Sequence, residues 1–452
     1  MGLFTPFYMD VTGNSTNSEK DRANRAVWAL KNPKKLCKIA RDAKFHNVRH
    51  AAVARLVDLG DEDALAVAMC QCDNDERRKI ELAFKGLHSQ AVLERIAKTA
   101  PSGNARAEAV KRLESETLLK EIALGDQSSG VRETATRRLT DSATLAKIAL
   151  TDADNGPRCA AVANPHLTDP AVLAKVALET DYWRIRQNAI LNPNFTDADA
   201  LAKIAMEAPD CRADAVKNPH LTDPAVLAKI ALENTDYSAR KAAVEKDALA
   251  DPEVLKKVAL EDARADVRAA AVNKPQLKDP EVLKKVALED ADGNVRLIAV
   301  RRSELVDQAF LARIAAEDAD TDVRTAAVFR LENVDALAQI AETGEETRDY
   351  ARWLAALKLS RRAPSRAVGP LVKLMALDRD TSFSNRPLIK GANTSMMDLR
   401  QEAVHFLENQ YRHTTIPGVR EAIATLPSGN YGYLEYDHCS HDDQRIHFDI
   451  PR

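Results

Sequence analysis

The residues best suited to chemistry stand near the C-terminus. His438, Cys439, His441 and His447 lie together, with Asp442 and Asp449 among them. Imidazole nitrogen and thiolate sulfur are the donors a zinc ion takes. The flanking residues alternate in polarity: Tyr431, Tyr433 and Tyr436 precede the cluster, and Ile446, Phe448 and Ile450 follow it. That alternation predicts two short strands joined over residues 437–444, a β-hairpin that sets His447 opposite the turn. The competing reading is a polar tail, because no second cysteine pair supports a structural zinc site. The expectation is no cofactor, with zinc at this tail as the one candidate.

A second chemistry is contact with nucleic acid. Arg348, Arg352, Lys358, Arg361, Arg362 and Arg366 interleave with Tyr350 and Trp353. Cations beside aromatic rings suit a single strand, whose phosphates need charge and whose bases need a stacking face. The plainer alternative is a solvated terminal helix with Trp353 in its core. Lys31, Lys34, Lys35, Lys38, Arg41 and Lys44 admit the same two readings. Cys70-Gln71-Cys72 is an isolated pair of cysteines and reads as ordinary thiols. No phosphate-binding glycine loop, zinc-protease motif or nucleophile elbow occurs. Carboxylates are plentiful but recur on helix surfaces, so no two stand out as an acid and base. No catalytic residue is named, and an enzyme is the less favoured reading.

The elements that carry these residues follow a repeat. Asp223-Pro224-Ala225-Val226-Leu227-Ala228-Lys229-Ile230-Ala231-Leu232-Glu233 recurs, little changed, from Asp251 and again from Asp279. An arginine follows each copy, at positions 132, 158, 186, 212, 240, 268, 296, 324 and 352, always 26 or 28 residues apart. Looser copies reach back through Arg106, Arg78 and Arg49. Each unit predicts two short helices. Asp caps the first, and Pro tolerates its first position because the missing N–H had no partner there. Val254, Leu255, Val258 and Ala259 share one face at helical spacing. Val267, Ala270, Ala271 and Leu277 are the inward residues expected of the second helix. It stops where Pro bars helix in the residue before it, as at Asn164-Pro165, Asn192-Pro193, Asn218-Pro219 and Lys274-Pro275. One pair cannot bury its apolar side alone, so the pairs must stack.

Composition agrees. Aromatics are 5% of the 452 residues, and Ala, Leu and Val supply the apolar mass. With 65 basic and 68 acidic residues the net charge is −3, which is wrong for a dedicated nucleic-acid coat. The ends are basic all the same: residues 1–60 hold 11 Lys and Arg against 5 Asp and Glu, and residues 348–390 hold 10 against 3. Six scattered cysteines point to a reducing compartment. No apolar run approaches the ~18 residues that span a bilayer. The expectation is a cytoplasmic monomer with no membrane contact. Four parts are expected: a flexible segment 1–23, a repeat array 24–360, an irregular repeat with an inserted loop over 361–428, and the hairpin-like tail 429–452.

The Asp six residues before the arginine, as in Asp262/Arg268, Asp126/Arg132, Asp152/Arg158, Asp290/Arg296 and Asp318/Arg324, resembles the Asp/Arg pattern of HEAT repeats. The short period is closest to bilin-lyase-type HEAT-like repeats. The stretch Ala161-Val162-Ala163-Asn164-Pro165-His166-Leu167-Thr168-Asp169-Pro170 is similar to the leucine-rich repeat variant. The resemblance covers roughly residues 34–360. It implies an all-α superhelix, a right-handed solenoid of about twelve two-helix repeats. Relatives of this architecture serve as scaffolds, adaptors, lyase chaperones and some DNA glycosylases, so fold alone does not settle function. A scaffold or adaptor holding a protein partner along the repeat surface is the expected role. The alternative is a nucleic-acid-binding or DNA-repair protein that uses the basic ends. Thr180 and Asn234 replace the repeat's Asp, so any ladder of side chains is expected to break there.

Overall fold

A computed structural model describes residues 25–43, 45–69, 77–343 and 350–377, together with residue 23 and parts of 402–409. Outside the described residues lie Lys44, Cys70 and Cys72, Arg348, the insertion over 378–387, and the tail 429–452 with its expected hairpin and His438, Cys439, His441 and His447.

Every element among the described residues is an α-helix. They form twelve consecutive pairs, from Pro33–Asp42 with His46–Leu59 to Val334–Glu342 with Tyr350–Arg362, and Pro364–Leu377 follows. Packing divides the chain into two units, the first ending at Lys246 and the second beginning at Asp247, with the short stretch Ala231–Glu233 grouped with the second.

The helix Pro252–Glu261 shows how the first member of a pair forms. Asp251 accepts the backbone N–H of Glu253 at 2.9 Å, and Pro252 occupies the first turn. Such a cap stabilises by about 1 kcal/mol. Leu255, Val258 and Ala259 are buried, each large side chain contributing ~1.5–3 kcal/mol on leaving water. The helix ends as Asp262 turns extended and bonds its N–H to the Val258 carbonyl at 3.1 Å. The second helix, Ala265–Asn273, buries Val267, Ala271 and Val272, and Leu277 in the turn beyond it is buried too. Ala270, expected inward, is half-exposed, and Val272 takes the core position. The helix is wedged between its own first helix and the next second helix, Gly293–Arg301, so its buried face is wider than one apolar stripe. Small residues let these helices close up: a Cβ at Gly293 would collide with the Asp320 carboxylate of the next pair. No helix among the described residues is long and apolar enough to cross a membrane.

Candidate functional site

Within each unit the repeating arginines form an interrupted ladder that ties pairs to their successors. Arg268 lies in a second helix, one turn past its start. Its Nε and Nη2 donate to the two carboxylate oxygens of Asp290, both at 2.7 Å, while Nη1 donates to the Asp262 carbonyl at 2.8 Å. Arg296 does the same with Asp318 at 2.8 Å and the Asp290 carbonyl at 2.8 Å. In the first unit Arg106 grips Asp126, and Arg132 grips Asp152. The Asp six residues earlier thus offers its carbonyl, and the Asp of the next pair offers its carboxylate. That carboxylate also accepts a backbone N–H two residues on, as Asp126 does from Ser128 at 2.8 Å.

These pairs are largely shielded from water. Hydrogen bonds donated to Asp126, Asp290 and Asp318 raise the pKa of Arg106, Arg268 and Arg296 against the effect of burial. Burial alone would raise Asp152 and Asp290, but the hydrogen bonds and charge of their arginines outweigh it and hold both below the usual carboxylate range.

The ladder breaks where Asp is missing. Thr180 and Asn234 keep the turn, accepting the N–H of Tyr182 at 3.2 Å and of Asp236 at 2.9 Å. They offer no carboxylate. Arg158 turns its Nε to the Ala149 carbonyl at 3.1 Å, and Arg212 turns to the Ala208 carbonyl at 2.6 Å and the Thr235 hydroxyl.

A second ladder was not anticipated from sequence. Within each unit, a residue at or near the end of a second helix reaches back to the carbonyls that end the previous one. Asn164 donates to Thr136 and Leu139, at 3.0 and 2.9 Å. Asn192 donates to Val162 and Asn164, at 2.8 and 3.0 Å. Arg302 reaches Val272, Lys274 and Leu277, and Arg330 reaches Val300 and Arg302. Carbonyls at a helix end have no partner within the helix, so each pair caps its predecessor. The signal was present at 26- or 28-residue spacing within each unit, in donors of different types: Arg112, Arg138, Asn164, Asn192, Asn218 and Lys246 in the first, and Arg302, Arg330 and Lys358 in the second.

The chain has the architecture of a HEAT-like helical repeat. No protein-family model matches it, and no curated protein does. Among solved structures it is similar to importin beta, at 13% identity over 93% of this chain and 67% of that one, with a TM-score of 0.35. It is also similar to the karyopherin Kap121p bound to the SUMO protease Ulp1p, at 13% identity over 90% of this chain and a TM-score of 0.39, where it spans only 55% of the karyopherin. Both likenesses are loose. The repeat is identified by this chain's own helix pairs and Asp–Arg ladder.

Within this HEAT-like stack the expected nucleic-acid residues do different jobs. Lys358 is buried and belongs to the second ladder, its Nζ donating to Val328, Phe329 and Leu331 at 3.1, 2.7 and 2.8 Å. Burial pushes its pKa down to about 8. Arg352 is buried in the first ladder's register, with Nη2 3.4 Å from the Ala341 carbonyl. Trp353 is fully buried in the core of its helix pair. Arg361, Arg362 and Arg366 are on the surface, paired with Glu402, Glu332 and Asp335. Near the N-terminus Lys31, Lys34, Lys35 and Lys38 are exposed, and Arg41 pairs with Asp42. Among the described residues no group of three or more His, Cys, Asp or Glu is placed to hold a metal ion.

The exposed side of the second helices is of mixed chemistry. In the first unit the half-buried Ala107, Glu108, Thr134 and Cys159 lie on it, then Gln187, also half-buried, which donates to Asp214 at 2.8 Å. Two large apolar side chains stand out nearby: Leu191 is 64% exposed and Trp183 46%, with Arg184 stacked 5.4 Å from the Trp183 ring.

Proposed function

We propose that the chain is a non-enzymatic scaffold that holds a protein partner along its second helices. The observation that carries this is the state of the arginines. The cations that recur through the stack are bound to carboxylates and carbonyls, so the second-helix face has no row of free charge to follow a phosphate backbone. What it offers instead is a mixture of small, polar and acidic side chains, with Trp183 and Leu191 as exposed anchors. Aromatic and arginine side chains of this kind dominate protein–protein affinity.

The test compares the wild type with a Trp183→Ala/Leu191→Asp variant as bait in the native cell. The reading expects one specific protein to be retained by the first and lost with the second. Recovery of nucleic acid alone, with labelled DNA or RNA shifted at low salt, would favour the alternative that uses the basic ends. The zinc reading of the tail is proposed separately. Elemental analysis of the full chain and of one ending at Ser428 decides it, and equal metal in both excludes His438, Cys439, His441 and His447 as ligands.

A further inference from the structure

The outer face of the first helices carries a pattern that the stack itself does not need. On Pro170–Glu179 the exposed side chains include Lys175, Leu178 and Glu179, and on Ala198–Glu207 Lys203 and Glu207 flank the half-buried Met206. Leu124, Leu150 and Leu178 hold one register on three successive first helices and are 45%, 39% and 40% exposed. The core is packed by Leu119, Leu145 and Leu173, five residues earlier on the same helices. The outer leucines leave about two-fifths of their surface in water.

The charges beside them are placed against local preference. Glu179 and Glu207 end their helices, where the dipole disfavours a carboxylate, and no basic residue shares that last turn. Lys175 precedes Glu179 by four residues, as Lys203 precedes Glu207, the weaker orientation for a pair within a helix. Neither couple forms an ion pair in the structure, although Lys241 with Glu245 and Arg313 with Glu317 do, at 3.3 and 3.0 Å. The second unit repeats the arrangement in Lys285, Leu288 and Glu289.

We infer that this face is a self-association surface, on which a second copy of the chain docks about a two-fold axis. On Pro170–Glu179 and Ala198–Glu207 the lysine precedes the Leu–Glu or Met–Glu pair by about one helical turn, ~5 Å. Lys147 continues the lysine row on Ser142–Thr151, where Thr151 takes the glutamate's place, and the helix Glu116–Gly125, with Glu121 and Gly125 at these positions, lies outside the charged rows. A copy turned over about an axis running along the rows lays its Leu–Glu row on the first copy's lysines, and its lysines on the first copy's Leu–Glu row. Both rows are matched by one operation, as a two-fold interface requires. Lysine stems cover the leucines while their ammonium groups meet carboxylates. A nucleic acid or an anionic membrane would meet the glutamates with repulsion. First helices stacked ~10 Å apart offer several hundred Å² per copy, on the order of the ~800 Å² a specific interface buries on each side. A dimer departs from the monomer expected from sequence, because the repeat pattern does not reveal which leucine faces water. It leaves the second-helix face free and does not depend on the scaffold reading.

Sedimentation equilibrium of the full chain at low salt tests this. The wild type is expected at twice the chain mass by about 100 µM, where a micromolar contact is saturated. A Lys147→Glu/Lys175→Glu/Lys203→Glu variant and a Glu179→Lys/Glu207→Lys variant should each associate at least tenfold more weakly, with helical circular dichroism unchanged. Mixed in equal amounts, the two should recover the doubled mass as a heterodimer. A wild type that keeps the mass of one chain throughout overturns the inference, as do variants that dimerise like the wild type or a mixture that stays monomeric.

Discussion

Thr180 is where a single residue shows what the first ladder is worth. It stands 22 residues after Arg158, the spacing that joins Arg268 to Asp290, and it is buried. Its hydroxyl holds the turn, a task a carboxylate does equally well at Asp126 and Asp290. Thr180→Asp should therefore give Arg158 the bidentate partner it lacks. Hydrogen bonds to charged groups contribute ~1.5–3 kcal/mol, and burying the new carboxylate takes back part of it. The expected gain is about 1 kcal/mol in the free energy of urea unfolding. A variant less stable than the wild type would show that the ladder fixes the register of pairs at a net cost. The reverse change, Arg296→Met, strands Asp318 among buried groups and should cost ~3 kcal/mol, read from the same unfolding curves. The ladder was legible in outline. Asp and Arg recur together, which points to pairing, but two acids compete for each arginine and sequence cannot say which supplies the carboxylate. Geometry decides, since the nearer Asp ends its own first helix and turns its carbonyl, not its side chain, toward the guanidinium.

At the scale of the helix, first members of each pair were readable because their determinants are local. An Asp cap, Pro in the first turn and apolar residues at helical spacing all lie within one segment. Second helices were less so. They are short and rich in alanine, and what ends them comes from another pair. Lys358 is the sharpest case. It reads as a solvent-facing cation beside Tyr350 and Trp353, yet its ammonium closes the end of the helix Thr321–Arg330. Lys358→Met keeps the stem and removes the donor. Leaving buried carbonyls without partners costs ~1–3 kcal/mol, so the midpoint of unfolding should fall accordingly, and Lys358→Arg, which restores donors as Arg330 and Arg302 do, should recover most of it. Arg361→Ala, at an exposed ion pair, should change stability by less than ~1 kcal/mol in the same assay. Equal losses at both positions would mean that the second ladder is no more than a surface contact.

Over the whole molecule these bonds act in series. Each pair packs chiefly on the pairs before and after it within its unit, so stability accumulates from neighbour to neighbour rather than from one central core. A condition that weakens every rung together must then act on the entire chain. Acid is such a condition. Asp152 and Asp290 are held below the usual carboxylate range by their arginines, and Glu304, bonded to Arg302 at 2.8 Å, is lowered to about 2. A carboxylate lowered on folding stabilises the fold at every pH above its unfolded value, near 4. That contribution drains away as pH falls toward the folded value, because the unfolded chain takes up protons first. The thermal midpoint followed by circular dichroism should hence stay level from about pH 7 to pH 5 and drop steeply below about pH 4. An Arg302→Gln variant, which removes the partner of Glu304, should lose stability at neutral pH while falling less steeply below pH 4. A midpoint that held level to about pH 3 would place the stability of the stack in its leucines and alanines alone, with both ladders serving only to set how one pair sits on the next.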